Sequence, residues 1–112
     1  MEYRKAVLSD IATLSRLRLD MLCEENPLSS GQRAVIEDNT KRFFLNGFTD
    51  NSVIGWVAVF NQYIVCMGCV NFFSFPPNDW CPNGKTAYVG NMYTLPDFRG
   101  RGVASTILSN LI

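Results

Sequence analysis

The segment Asn91-Met92-Tyr93-Thr94-Leu95-Pro96-Asp97-Phe98-Arg99-Gly100-Arg101-Gly102-Val103-Ala104-Ser105 reads as a strand, a glycine-rich turn and the start of a helix. The first amides of a helix lack intrahelical acceptors and sit at the positive end of its dipole. Small residues at Gly100, Gly102 and Ala104 let an anion approach that backbone closely, and Arg99 and Arg101 add positive charge. Together they suit a phosphate or pyrophosphate. The same residues also suit an ordinary strand-to-helix turn with two solvated arginines. The dinucleotide pattern Gly-x-Gly-x-x-Gly is not met, because Ser105 stands where its last glycine belongs, and this segment holds no Gly-Lys-Ser/Thr; the Gly84-Lys85-Thr86 upstream of it has Asp79 where a phosphate loop needs its first glycine.

Upstream of this segment the chain divides into clear elements. Glu2 to Val7 reads as a short strand. Ser9 or Asp10 is placed to cap a helix whose apolar stripe is Ile11, Leu14, Leu17 and Met21. A second helix is expected from Gln32 to about Leu45, with Val35, Ile36, Phe43 and Phe44 as apolar contacts and Gly47 as its stop. Ser52 to Phe60 is almost wholly apolar, as a strand covered on both faces would be. Asn61-Gln62 reverses the chain into a returning strand, Tyr63 to Ser74. Phe75 to Lys85 is a loop rich in proline and asparagine, and Thr86 to Leu95 is the next strand. The final helix offers Val103, Ile107, Leu108, Leu111 and Ile112 as its apolar side. The order β-α-α-β-β-β-α makes this a mixed α/β (α+β) domain, with a mostly antiparallel sheet and helices on both faces.

Arg99-Gly100-Arg101-Gly102-Val103-Ala104 resembles the Arg/Gln-x-x-Gly-x-Gly/Ala signature of the GNAT superfamily of acyl-CoA-dependent N-acetyltransferases. The preceding Met92-Tyr93-Thr94-Leu95-Pro96 and Asp97-Phe98 match its context, and the element order matches the N-terminal part of that fold. The resemblance implies an enzyme that moves an acetyl group from acetyl-CoA to a primary amine by direct attack in a ternary complex. It implies that the coenzyme pyrophosphate lies on the amides from Arg101 to Ser105, with Arg99 and Gly100 shaping the turn. The pantetheine arm would run beside the strand near Met92, Tyr93 and Thr94, like an added strand. The Met92 N–H would then polarise the acetyl carbonyl. Glu24 and Glu25, at the end of the first helix, are the candidate bases. The usual acid of the family, a tyrosine on a later helix, has no counterpart here. The second hairpin strand departs from the family with Ile64-Val65-Cys66 where many members have Val-Gly.

Composition narrows the alternatives. The 112 residues hold 10 basic and 10 acidic side chains and no histidine. Histidine-based nucleophile systems and histidine metal sites are therefore excluded. Balanced charge gives no footprint for nucleic acid. No apolar run is long enough for a membrane helix, and the N-terminus lacks the apolar stretch of a signal peptide. A cytoplasmic location with free thiols is expected. Cys66 and Cys69 fall on one strand at an offset that sends their side chains to opposite faces, so they read as small buried residues and not as half a zinc site. No metal is expected.

The last helix stops on its own apolar stripe at Leu111-Ile112, without a terminating residue. This leads to the expectation that residues 1–112 are a single N-acetyltransferase domain that is incomplete at its C-terminus. The acceptor is open: a small-molecule or peptide amine. A homodimer is one consequence of surface left uncovered. The competing reading is a non-catalytic acyl-CoA-binding or interaction module built on the same fold.

Overall fold

The computed structural model describes all residues from Met1 to Ile112. Its elements are β1 (Glu2–Lys5), α1 (Ile11–Glu25), α2 (Ser30–Asp50), β2 (Val53–Phe60), β3 (Tyr63–Ser74), β4 (Lys85–Thr94) and α3 (Val103–Leu111). Short 3-10 turns, Leu8–Asp10 and Pro96–Phe98, precede α1 and α3. The order is the β-α-α-β-β-β-α of the sequence reading. The four strands lie in the sheet as β1-β2-β3-β4, and every neighbouring pair is antiparallel.

The sheet is covered on both faces, and β2 shows why its sequence is almost continuously apolar. Adjacent Val57 and Ala58 are both fully buried, yet they join different cores. Val57 packs with Leu14 and Leu17 of α1, Phe44 of α2, and Met67 and Tyr93. Ala58 packs with Val65, Cys66, Val103 and Ile107 on the α3 side. Alternation along a strand makes this division obligatory. Cys66 and Cys69 fall in different clusters, as the strand reading requires.

The ends of the elements follow local chemistry. Ser29 and Gln32 form a reciprocal capping box: the Gln32 N–H donates to Ser29 Oγ at 3.1 Å, and the Ser29 N–H donates to Gln32 Oε1 at 2.9 Å. This starts α2 at Ser30, two residues before its expected beginning. Gly47 does not end α2. It lies inside the helix against Val53, where a Cβ would collide with the valine side chain. Asn51, with φ of 64°, provides the left-handed stop. Asn61 and Gln62 both take positive φ, the hairpin geometry whose twist matches the flanking strands.

Two further expectations are corrected. Neither Ser9 nor Asp10 caps α1 with its side chain. The Asp10 carboxylate instead receives Arg4 at 2.8 and 3.0 Å and the Val7 N–H at 2.8 Å, so it ties β1 to the turn before α1. On α3, Val103 and Ile107 are buried and Leu111 packs beside them, whereas Leu108 and Ile112 are exposed. A step of one residue turns a helix by about 100°, which carries Leu108 and Ile112 off the stripe set by Val103, Ile107 and Leu111.

Candidate active site

The glycine-rich turn opens onto a hollow of about 300 Å³ lined by Thr94, Phe98, Arg99, Gly100, Gly102, Val103, Ala104 and Ser105. Gly100 and Gly102 take φ of 76° and 77°, a conformation costly for any residue with a Cβ. A Cβ at either position would meet nothing within 4 Å, so the glycines serve the backbone shape and leave the space above it open. The first α3 bond is from the Thr106 N–H to the Gly102 carbonyl at 3.1 Å. The Val103, Ala104 and Ser105 N–H groups therefore precede the helical ladder, and no side chain caps them.

The two arginines of the turn differ in role. Arg99 is committed to the protein. Its Nε donates to the Thr94 carbonyl at 2.9 Å, and its Nη2 donates to both oxygens of Glu24 at 2.8 and 3.0 Å. The guanidinium also lies 5.5 Å from the centre of the Tyr93 ring. Arg99 thus pins the end of α1 to the end of β4. Its Glu24 partner holds its pKa above the usual arginine value. Burial, and then the charge of Glu24, raise the Tyr93 phenol above its ordinary value. Arg101 lies over the Phe98 ring at 5.5 Å and has no carboxylate partner. Glu25 is exposed and lines neither this hollow nor the cleft described next.

Between these residues and the helices, β4 is broken by a bulge. Met67 faces Tyr93 and Cys69 faces Gly90, so Asn91 and Met92 together oppose the single residue Gly68. Asn91 has φ of 55°. Gly68 makes room for the Met92 thioether and for Ile107, both of which would collide with a Cβ there. A bulge leaves one residue out of the ladder and re-aims its neighbours. Met92 was marked by the sequence motif. Asn91 was not, although a Gly-Asn pair inside an otherwise regular strand is a readable signal for such a break.

A second cavity, a cleft of about 470 Å³, lies on the other side of this bulge. Arg18 and Leu22 of α1, Ile36, Asn39, Thr40 and Phe43 of α2, Asn71 of β3, and Tyr88 and Asn91 of β4 are among its walls. The Arg18 Nη1 donates to Asn91 Oδ1 at 3.2 Å, and the Asn91 amide points its Nδ2 at the Cys69 sulfur, 3.7 Å away. Burial pushes the Cys69 thiol up to about 11 and raises Cys66 as well, so both stay protonated near neutral pH and neither is a thiolate nucleophile. None of the cleft residues except Asn91 belongs to the glycine-rich segment. They converge from four elements, and no local motif announces them. No group of three or more His, Cys, Asp or Glu is placed to hold a metal ion. No helix is long and apolar enough to cross a membrane.

The family model of the acetyltransferase (GNAT) family matches residues 11–112. The chain belongs to the GNAT acetyltransferase family. No curated protein matches the sequence. A predicted acetyltransferase from Clostridium acetobutylicum, in a structure with acetyl-CoA, is 33% identical with a TM-score of 0.88; the match covers 98% of this chain and 70% of that one. A GCN5-related N-acetyltransferase from Ralstonia eutropha JMP134 is 23% identical with a TM-score of 0.85, over 98% of this chain and 72% of that one. The second likeness shows the fold alone. This GNAT chain has the family's fold, and the segment that resembles the family signature lies on the turn that opens α3.

Proposed function

We propose that the protein is an N-acetyltransferase that moves the acetyl group of acetyl-CoA to a primary amine by direct attack in a ternary complex. The observation that carries this is the run of three uncapped amides, Val103 to Ser105, over open glycine backbone. These amides and the Arg101 guanidinium suit a pyrophosphate, so the residues present fit acetyl-CoA as co-substrate. Arg99 and Gly100 shape the turn, and Thr94 lines the same hollow. β4 is the last strand in the order β1-β2-β3-β4, and an extended arm beside Met92, Tyr93 and Thr94 would pair with its backbone like an added strand. The four cysteines are free, in keeping with a reducing cytoplasm.

In this reading the bulge at Asn91-Met92 turns the Met92 N–H toward the acetyl carbonyl as an oxyanion donor. The cleft beside Asn91 admits the amine. The amine nitrogen bonds to the acetyl carbon, the C–S bond breaks, and coenzyme A leaves as its thiol while the amine gives up a proton. Holding both reactants at β4 supplies much of the rate. Glu24 acts through Arg99 as a positioning residue for the turn, since both its oxygens accept from that guanidinium. Glu25 stays a candidate base only by way of water.

One observation favours a second reading. The cleft contains no carboxylate and no histidine, so no protein base faces the amine directly. A non-catalytic acyl-CoA-binding module would have that character. Thiol release from acetyl-CoA, followed with a panel of primary amines, separates the two. Amine-dependent release with a matching acetylated product supports the enzyme. Coenzyme binding without release under any amine supports the module.

A further inference from the structure

The cleft beside the bulge holds a charge that the protein itself does not use. Arg18 is half-buried, and no carboxylate lies within 4.0 Å of its guanidinium. Its one side-chain hydrogen bond is to a neutral amide oxygen, that of Asn91. A guanidinium has a fork of further N–H donors suited to a carboxylate. The cleft around it has amide-bearing walls at Asn39 and Asn71 and apolar walls at Leu22, Ile36 and Phe43, but no Asp or Glu. Its volume, about 470 Å³, is that of a small-molecule site.

We propose that Arg18 binds the carboxylate of the acceptor, so that the cleft selects an α-amino acid with an apolar side chain. The inference rests on the acetyltransferase reading and specifies its substrate class. Three features support it. Arg18 holds Asn91, the residue directly before Met92, so the anchor for the carboxylate and the site of transfer are adjacent. A short separation of amine from carboxylate, as in an α-amino acid, fits that adjacency. The apolar walls suit the side chain, and the neighbouring amides suit the polar end. The positive charge also disfavours an ammonium ion in the cleft, and the reaction needs the amine neutral.

The test uses this chain with phenylalanine against phenethylamine, and leucine against isoamylamine. Each pair differs only in the carboxylate. Calorimetry is run with coenzyme A present, which fills its site without reacting. Each amino acid is expected to bind at least about tenfold more tightly than its amine, the scale of a charge-assisted hydrogen bond. Arg18→Gln should abolish that difference, Arg18→Lys should keep part of it, and both variants should bind acetyl-CoA as the unaltered chain does, which also shows that they are folded. Equal affinity within each pair overturns the assignment, as does a preference that survives Arg18→Gln. Failure of the unaltered chain to bind acetyl-CoA strikes the acetyltransferase reading itself.

Discussion

Two arginines separated by one glycine do different work at the turn. Arg99 is neutralised by Glu24 and pins the junction of α1 with β4, while Arg101 lies over the Phe98 ring with no carboxylate partner. Arg101→Gln should weaken acetyl-CoA binding by about three- to tenfold, with the loss shrinking as salt rises, because an exposed charge is screened. Titrations at low and high ionic strength check this. Arg99→Gln should instead lower the melting temperature and the affinity together. Asp10 gives a pH prediction. Hydrogen bonding from Arg4, and then from the Val7 N–H, holds its carboxyl below the usual 3.8. The unfolded chain therefore takes up this proton first as pH falls. The stabilisation is present above the unfolded value of 3.8 and is lost as pH drops below it through the folded value. Its size is on the order of 1 kcal/mol, discounted because the Arg4 side chain is 36% exposed. Thermal unfolding from pH 6 downward should show the gap between the unaltered chain and Asp10→Asn narrowing as pH falls below 3.8.

At the scale of elements, α2 shows how a correct local rule can mislead. A glycine after an amphipathic run commonly marks a helix end, yet Gly47 lies inside the helix because Val53 of β2 presses on it. Propensity alone makes Gly→Ala in a helix stabilising by about 1 kcal/mol. At Gly47 the collision with Val53 opposes this, and overpacking of a core costs about 1–3 kcal/mol. Gly47→Ala is therefore expected to destabilise, and urea unfolding of the variant reads the sign directly. The element order, the hairpin turn at Asn61-Gln62 and the opposite facing of Cys66 and Cys69 were legible in the sequence, since each depends on neighbours along the chain. The end of α2, and the exposure of Leu108 and Ile112, depend on packing partners or on helical phase set by them. The bulge at Asn91 falls between these cases: its residues hint at a break, but only the register against Gly68 fixes it.

Over the whole molecule, β4 links the two cavities. Its Thr94 end meets the uncapped amides of α3, and its Asn91 bulge meets the cleft between α1, α2 and the sheet. The first cavity lies on contiguous sequence, which is why the motif was readable. The second needs Arg18, Asn39, Asn71 and Asn91, and only the antiparallel sheet and the α1–α2 pair bring them together. The proposed coenzyme site is the first cavity. Calorimetric titration of acetyl-CoA into this chain and into its Gly102→Asp variant tests it directly. The substitution sets a carboxylate beside the amides that a pyrophosphate would use, at a residue with φ of 77°. A melting curve of Gly102→Ala separates the backbone strain, about 1–2 kcal/mol, from the effect of charge. Saturable binding by the unaltered chain, weakened tenfold or more on the order expected for a repelled anion in Gly102→Asp but much less in Gly102→Ala, is the predicted result. Equal affinity in the unaltered chain and Gly102→Asp would contradict the assignment of the coenzyme to this turn.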